Sequence, residues 1–458
     1  MVETHIVYPT NKYNRPAVPD AIKLHDLDLF SAPIQIVNHR FFHPSDRSIS
    51  EIVEKLISSL AEALELYPPV AGVVHTLDNG DICIITKPED DQGTPLLVDI
   101  KDTSYTTDSE DLSPRVGLIL SPDASTFAAK ITQFSCGTIC VASSIHHQVT
   151  DLRGFLDFLE VWAQIARGEP IDLSKIPNDW SRNPGQYFSG LLNESTVPPV
   201  PMPFDLLDEP ATEPPAFLMQ PSKITDWSIS KDSMERMKKA FSPTDSKDLW
   251  ISSGDALATL LCGAVTRARE SANVPRLEGR SPLNLDTEKL AMAADGRDRA
   301  PKGDMSGKYY GNFNNLPGVN VSRSDLLSLT NESASRVAVA IRRALNDQLT
   351  PLAIAKRIAF YESPEVNTPP GRIVFTADVI LTNWCRFDLQ GPKLDFGWGK
   401  AFLATSGGGS IYPPGYSIMT QNKETGETSI MLTIEEAALE ALKADELMNK
   451  YATLVPKL

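Results

Sequence analysis

Apolar residues recur along this chain at helical spacing in some stretches and alternate in others. After Ser48, with Glu51 three positions on, Ile52, Val53, Leu56, Ile57, Leu60 and Leu64 share one helical face until Pro68 and Pro69. Serine followed three residues later by glutamate is a capping box, so the pattern predicts a helix opening at Ser48. Asp78-Asn79-Gly80 then separates apolar segments at 71–77 and 81–86, which predicts a hairpin. Two more strands are expected over 128–134 and 138–145, joined through Ser135-Cys136-Gly137. Phe155, Leu156, Leu159, Trp162 and Ile165 then mark a helix starting near Leu152 and ending near Gly168. Later in the chain the same reading predicts helices over 231–241, 253–270, 331–346 and 351–361. It predicts strands over 290–294, 319–322, 373–381 and 428–432. A second capping box, Thr433 to Glu436, predicts a last helix running close to Tyr451.

One segment interrupts this alternation. Pro198, Pro199, Pro201, Pro203, Pro210, Pro214, Pro215 and Pro221 stand within 26 residues of one another, too dense for a helix or a central strand. It reads as a stiff crossover at 196–222 between an N-terminal domain, 1–195, and a C-terminal domain, 223–458. Mixed helices and strands in both parts predict an α/β fold. Ser406-Gly407-Gly408-Gly409-Ser410 is read as a loop, because it lacks the lysine and spacing of a phosphate-cradling P-loop.

Composition narrows the chemistry. The net charge is −16, which argues against a broad nucleic-acid surface but leaves room for a local basic patch holding a phosphorylated ligand. Five scattered cysteines, Cys83, Cys136, Cys140, Cys262 and Cys385, do not form a disulfide framework. The N-terminus has no apolar signal core, and no stretch has the apolar length of a membrane span. A cytoplasmic protein in a reducing compartment is expected. Pro456-Lys457-Leu458 only loosely resembles a peroxisomal address, since proline occupies its first position.

The sharpest local feature is Ile145-His146-His147-Gln148-Val149-Thr150-Asp151, at the junction of a predicted strand and helix. A neutral imidazole, with an ordinary pKa near ~6.5, is a natural general base for an alcohol or amine. Asp151 stands where free backbone N–H groups favour a carboxylate. Taken alone, the two histidines read equally well as ordinary loop or core residues, and Asp151 as a helix cap. Adjacent histidines on an extended segment point to opposite faces, and no Cys or carboxylate cluster accompanies them, so no metal is expected.

The rest of the chain bears on that choice. His147 to Asp151 matches HxxxD, and Asp395-Phe396-Gly397-Trp398-Gly399-Lys400 matches DFGWG. Tyr67-Pro68-Pro69-Val70-Ala71-Gly72, Asp255-Ala256-Leu257, Asp295-Gly296-Arg297-Asp298-Arg299, Tyr310-Gly311-Asn312 and Thr382-Asn383-Trp384 match in order between and around them. Over nearly its whole length the sequence resembles the BAHD acyltransferases, and within them fungal members such as the trichothecene acetyltransferases. It departs from the family in placing Leu152 and Arg153 before Gly154, where a glycine usually follows the motif aspartate directly.

The resemblance implies two chloramphenicol-acetyltransferase-like domains with a channel between their sheets and His147 midway along it. It implies a monomer that transfers an acyl group, acetyl or another short chain, from acyl-coenzyme A to a hydroxyl or amine of a small specialised metabolite. His147 would act as general base without an acyl-enzyme. Trp384, through its indole N–H, and Thr382 are the implied oxyanion donors. Asp151 would support the histidine loop by pairing with Arg297. Ser252, Ser253, Arg297, Lys302 and Arg342 are the candidate coenzyme contacts, with Lys308 and Arg343 as further basic candidates. A peptide-synthetase condensation domain shares the doubled histidine but is disfavoured by DFGWG. A catalytically dead acyl-binding scaffold is disfavoured by the intact His147, Asp151 and Arg297. A hydrolase lacks its Gly-x-Ser-x-Gly elbow.

Overall fold

The computed structural model describes residues 2–31, 33–87, 92–192, 198–211, 220–244, 250–274, 286–301, 303, 305, 307–367, 371–407 and 412–455. The first capping box forms. Ser48 accepts from the Glu51 N–H, Glu51 reaches back to the Ser48 N–H, and a helix runs over Ile49–Leu66. It packs beside helix Leu152–Ala166, whose Trp162 donates its indole N–H to Ser59 at 3.1 Å and the Leu56 carbonyl at 3.2 Å. Both helices bury their apolar faces in one core with strands Phe127–Gln133 and Ile139–His146.

Those strands belong to a six-stranded sheet ordered Val2–Val7, Thr94–Ile100, Phe127–Gln133, Ile139–His146, Gln35–Phe42, Leu403–Thr405. The sixth strand comes from the far end of the chain and pairs antiparallel with Gln35–Phe42. The turn just before it is Asp395–Gly399. One oxygen of Asp395, Oδ1, accepts the backbone N–H groups of Gly397, Trp398 and Gly399 at 2.7, 3.1 and 3.0 Å. Gly397 and Gly399 take φ of 105° and 111°, where a side chain would be strained. Phe396 is fully buried against Trp162, centroids 4.9 Å apart. The turn therefore anchors the late strand to the first core.

The second sheet has eight strands. Its path is Asn314–Asn315, Thr287–Asp295, Val379–Asn383, Tyr416–Gln421, Thr428–Glu435, Ser222–Ile229, Thr453–Val455, and Gly318–Ser322 also pairs with Thr287–Asp295. Successive residues of a strand face opposite sides. Leu381, Met419 and Leu432 enter a core with helices Lys231–Phe241, Ser253–Ser271 and Asn331–Gln348. Ile418, paired with Thr382, is turned the other way and joins the first core. One face of this sheet thus packs on its own helices, and the other looks toward the first sheet.

Three expectations are corrected. The Thr433–Glu436 capping box does not open a helix. Thr433 is fully buried inside strand Thr428–Glu435, which pairs on both sides. A cap contributes about 1 kcal/mol, whereas burying Ile430, Leu432 and Ile434 contributes roughly 1.5–3 kcal/mol each, so the ladder wins. The expected last helix is broken into Leu439–Lys443 and Glu446–Tyr451, the second capped by Asp445. The single strand expected over 373–381 is two. Ile373–Phe375 pairs with Phe204–Leu206, and Val379–Asn383 enters the second sheet. Pro456-Lys457-Leu458 and much of the glycine loop at 408–410 lie outside the described residues.

Replacing Asp395 with alanine removes the acceptor of three turn N–H groups. The expected loss is about 1–3 kcal/mol, read as a thermal midpoint lowered by a few degrees in a scan against the unaltered protein. An unchanged midpoint would contradict the anchoring role of this turn.

Candidate active site

His147 is placed by the end of strand Ile139–His146 and the turn that follows it. Its backbone N–H donates to the Ile34 carbonyl at 2.8 Å, and Arg182 donates to the Val149 carbonyl at 2.6 Å, so the turn is held from two sides. The ring contacts Asn312, Nδ1 to Oδ1 at 3.1 Å. Asn312 in turn donates from Nδ2 to the His147 carbonyl at 2.7 Å and to Oδ1 of Asp28 at 2.9 Å. Burial holds the His147 imidazole below its ordinary pKa, against weaker upward pulls from its own backbone carbonyl, Asp151, Asn312 and Asp28. His146, by contrast, is buried and pushed down to about 3, by burial first and by Arg115 and His147 second.

Asp151 caps helix Leu152–Ala166, accepting the Gly154 N–H at 3.2 Å. The same carboxylate receives both ends of the Arg297 guanidinium, at 2.9 and 3.1 Å, and the Phe313 N–H at 2.8 Å. Burial alone would raise its pKa, but the charge and hydrogen bonds of Arg297 outweigh that and keep it below the usual carboxylate range. Arg297 has a side chain 1% exposed and also reaches Asp295 at 3.1 Å and the Gly311 carbonyl at 2.7 Å. The expectation that Arg297 contacts the coenzyme is therefore corrected. Its donors are turned inward onto carboxylates and a carbonyl.

A cavity of about 600 Å³ runs between the two sheets, lined by His147, Ile34 and Ile36 on one side and Ala293, Thr382, Trp384 and Ile418 on the other. The Trp384 indole donates to Oγ1 of Thr382 at 3.2 Å. That corrects the expectation that the indole N–H itself waits for an oxyanion: it is engaged, and the Thr382 hydroxyl hydrogen is the donor left over. Ser252 and Ser253 line the cavity at the start of helix Ser253–Ser271, where Ser252 is the cap. Arg342 also lines it, bound to Asp255 by two contacts of 2.8 Å and to Ser252 Oγ at 2.8 Å, with its guanidinium 4.5 Å over the Trp250 ring. Lys308 and Arg343 are exposed and do not line the cavity, and Lys302 lies outside the described residues. Among the described residues no group of three or more His, Cys, Asp or Glu could hold a metal ion, and no helix is long and apolar enough to cross a membrane.

Sequence reasoning missed Asp28 and Arg182. Asn312 appeared only as the end of a short matched segment. Asp28 sits among the leucines of a four-residue helix, Asp26–Leu29, and nothing in that pattern marks an acid as buried.

A model of the Transferase family matches residues 1–448. The chain belongs to this family, the BAHD acyltransferases. Among BAHD relatives, acyltransferase uat1 of Mycosarcoma maydis is 29% identical over 327 residues, which cover 64% of this chain and 61% of that one. The 3'-N-debenzoyl-2'-deoxytaxol N-benzoyltransferase of Taxus canadensis is 24% identical, covering 90% of this chain and 89% of its own. The structure of F. sporotrichioides TRI101 complexed with coenzyme A and T-2 superposes with a TM-score of 0.74 at 18% identity, covering 95% of this chain and 100% of the other. That likeness shows the two-domain chloramphenicol-acetyltransferase-like fold of BAHD enzymes.

Removing one partner of a buried ion pair costs about 3–5 kcal/mol, and a lost cap adds about 1 kcal/mol. Asp151→Ala is therefore expected to lower the thermal midpoint clearly, while His147→Ala, which removes a ring at a cavity wall, leaves it nearly in place. Equal midpoints for the two variants would contradict the division of labour between them.

Proposed function

We propose that His147 is the general base of a direct acyl transfer from acyl-coenzyme A to a hydroxyl or amine of a small metabolite. The observation that carries this reading is the placement of His147 and Thr382 on opposite walls of one cavity, with His147 Nδ1 engaged by Asn312. Nε2 is then the nitrogen free to act. It removes the proton from the acceptor as oxygen or nitrogen attacks the thioester carbonyl. The carbonyl oxygen takes up the negative charge and receives the Thr382 hydroxyl, which the Trp384 indole orients from behind. Collapse of the tetrahedral intermediate breaks the carbon–sulfur bond, and the coenzyme thiolate takes the proton back from the imidazolium. The acyl group never joins the protein.

The same reading assigns Ser252, Ser253 and Arg342 to the coenzyme mouth. Arg342 keeps part of its charge turned to the cavity edge while Asp255 fixes its plane. T-2 in the TRI101 structure is the precedent for a small-molecule acceptor. The same reading divides the two domains at 196–222, and the five free cysteines suit a reducing, cytoplasmic compartment.

General-base catalysis is worth about 10²–10⁴-fold. His147→Ala should lose that much in kcat, measured as thiol release from acetyl-, malonyl- and longer acyl-coenzyme A with a panel of alcohol and amine acceptors. Release in the unaltered enzyme should depend on acceptor. Variant activity within a factor of a few, or release indifferent to acceptor, would overturn the assignment.

A further inference from the structure

The motif aspartate, Asp151, does not orient the catalytic imidazole: both its oxygens are taken by Arg297, Gly154 and Phe313. A second buried carboxylate stands behind the histidine instead. Asp28 is fully buried. Its Oδ1 accepts the Asn312 backbone N–H at 2.7 Å, the Asn312 side-chain amide at 2.9 Å and Arg182 at 3.2 Å, and its Oδ2 accepts the His25 N–H at 3.1 Å.

We propose that Asp28 and Asn312 are positioning residues that decide which nitrogen of His147 is the base. An ionised carboxylate only accepts, so it forces the NH2 end of Asn312 to face Asp28. The His147 carbonyl, also only an acceptor, demands the same NH2 end at 2.7 Å. Two acceptors therefore fix the amide, and its oxygen must face His147 Nδ1. An amide oxygen cannot donate, so Nδ1 carries the proton and Nε2 carries the lone pair. The relay also explains why a fully buried carboxylate and a side chain as polar as Arg182 are tolerated at this point. Arg182 balances the charge of Asp28 and ties the same unit to the Val149 carbonyl in the histidine turn.

The inference rests on His147 being the base, but its test reads something else. Asp28→Asn replaces a pure acceptor with a group that can also donate, so only the His147 carbonyl still holds the NH2 end of Asn312 and the flipped amide, which presents NH2 to Nδ1, becomes less costly. Asn312→Asp places a carboxylate directly on the imidazole. The groups facing His147 are Asp151, Asp28 and neighbouring His146, with Arg182 and Arg297 each bound to one of the carboxylates. A new carboxylate at position 312 adds to the first two and stabilises the imidazolium, so the acid limb of kcat/KM should move to higher pH.

The experiment is nitrogen NMR on protein labelled at histidine, with His147→Gln to assign the signal, together with pH–rate profiles of the variants. In the unaltered protein at neutral pH, His147 is expected with its proton on Nδ1. Asp28→Asn should shift the population toward the Nε2–H form and lower kcat by about 10-fold or more with little change in KM, since only the tautomer with a free Nε2 is productive. Asn312→Asp should raise the pH of the acid limb, and this variant leaves the Arg182 pair with Asp28 in place, so it serves even where Asp28→Asn fails to fold. An Nε2–H tautomer in the unaltered protein, or an acid limb unmoved in Asn312→Asp, would overturn the proposal. Loss of all turnover on His147→Ala with that outcome would leave the base assignment standing and sink only the relay.

Discussion

The Asp151–Arg297 pair is the joint on which the active site is built. Asp151 belongs to the helix that follows the histidine turn, and Arg297 and Phe313 come from the other side of the crossover. Two charges taken out of water are stable together only if every donor and acceptor is used. Here the carboxylate takes four hydrogen bonds and the guanidinium reaches Asp151, Asp295 and Gly311. The pair cannot slide without stranding a charge, so the helix start, the histidine turn and the segment carrying Asn312 are fixed relative to one another.

That fixed joint turns two sheets into one reaction vessel. The second sheet gives alternate residues to its own helices and the rest to the facing sheet, and Thr382 and Trp384 stand on the side that lines the cavity with His147. The Asp395 turn adds a second tie, carrying strand Leu403–Thr405 onto the edge of the first sheet. Each half therefore contributes one wall of the cavity.

Much of this was legible in the sequence where a local pattern and the tertiary outcome agree. Helix Lys231–Phe241 and the capped helix Ile49–Leu66 announce themselves by spacing and caps. Strand Gln35–Phe42 was not legible, because Asn38, His39 and Arg40 are buried in it beside Phe41 and Phe42 and erase the alternation. Thr433 misled for the opposite reason: a good local signal lay inside a strand paired on both sides. At the site, His147, Asp151, Thr382 and Trp384 could be named from motifs, but the Arg297 pair with Asp151 and the contact of Asn312 with His147 depend on which donor meets which acceptor across more than a hundred residues. No one-dimensional pattern carries that.

The pH dependence of kcat/KM tests most directly whether the neutral His147 imidazole does the work. Only neutral His147 can accept the proton. Burial disfavours its charged form, so its pKa in the free enzyme lies below the ordinary imidazole value of ~6.5. The rate should therefore rise with pH through a midpoint below that value and be level by neutral pH, with a fixed acceptor and acyl-coenzyme A both well below KM. A midpoint clearly above ~6.5 would mean that a charged partner, not burial, governs the base, and would contradict the site described above.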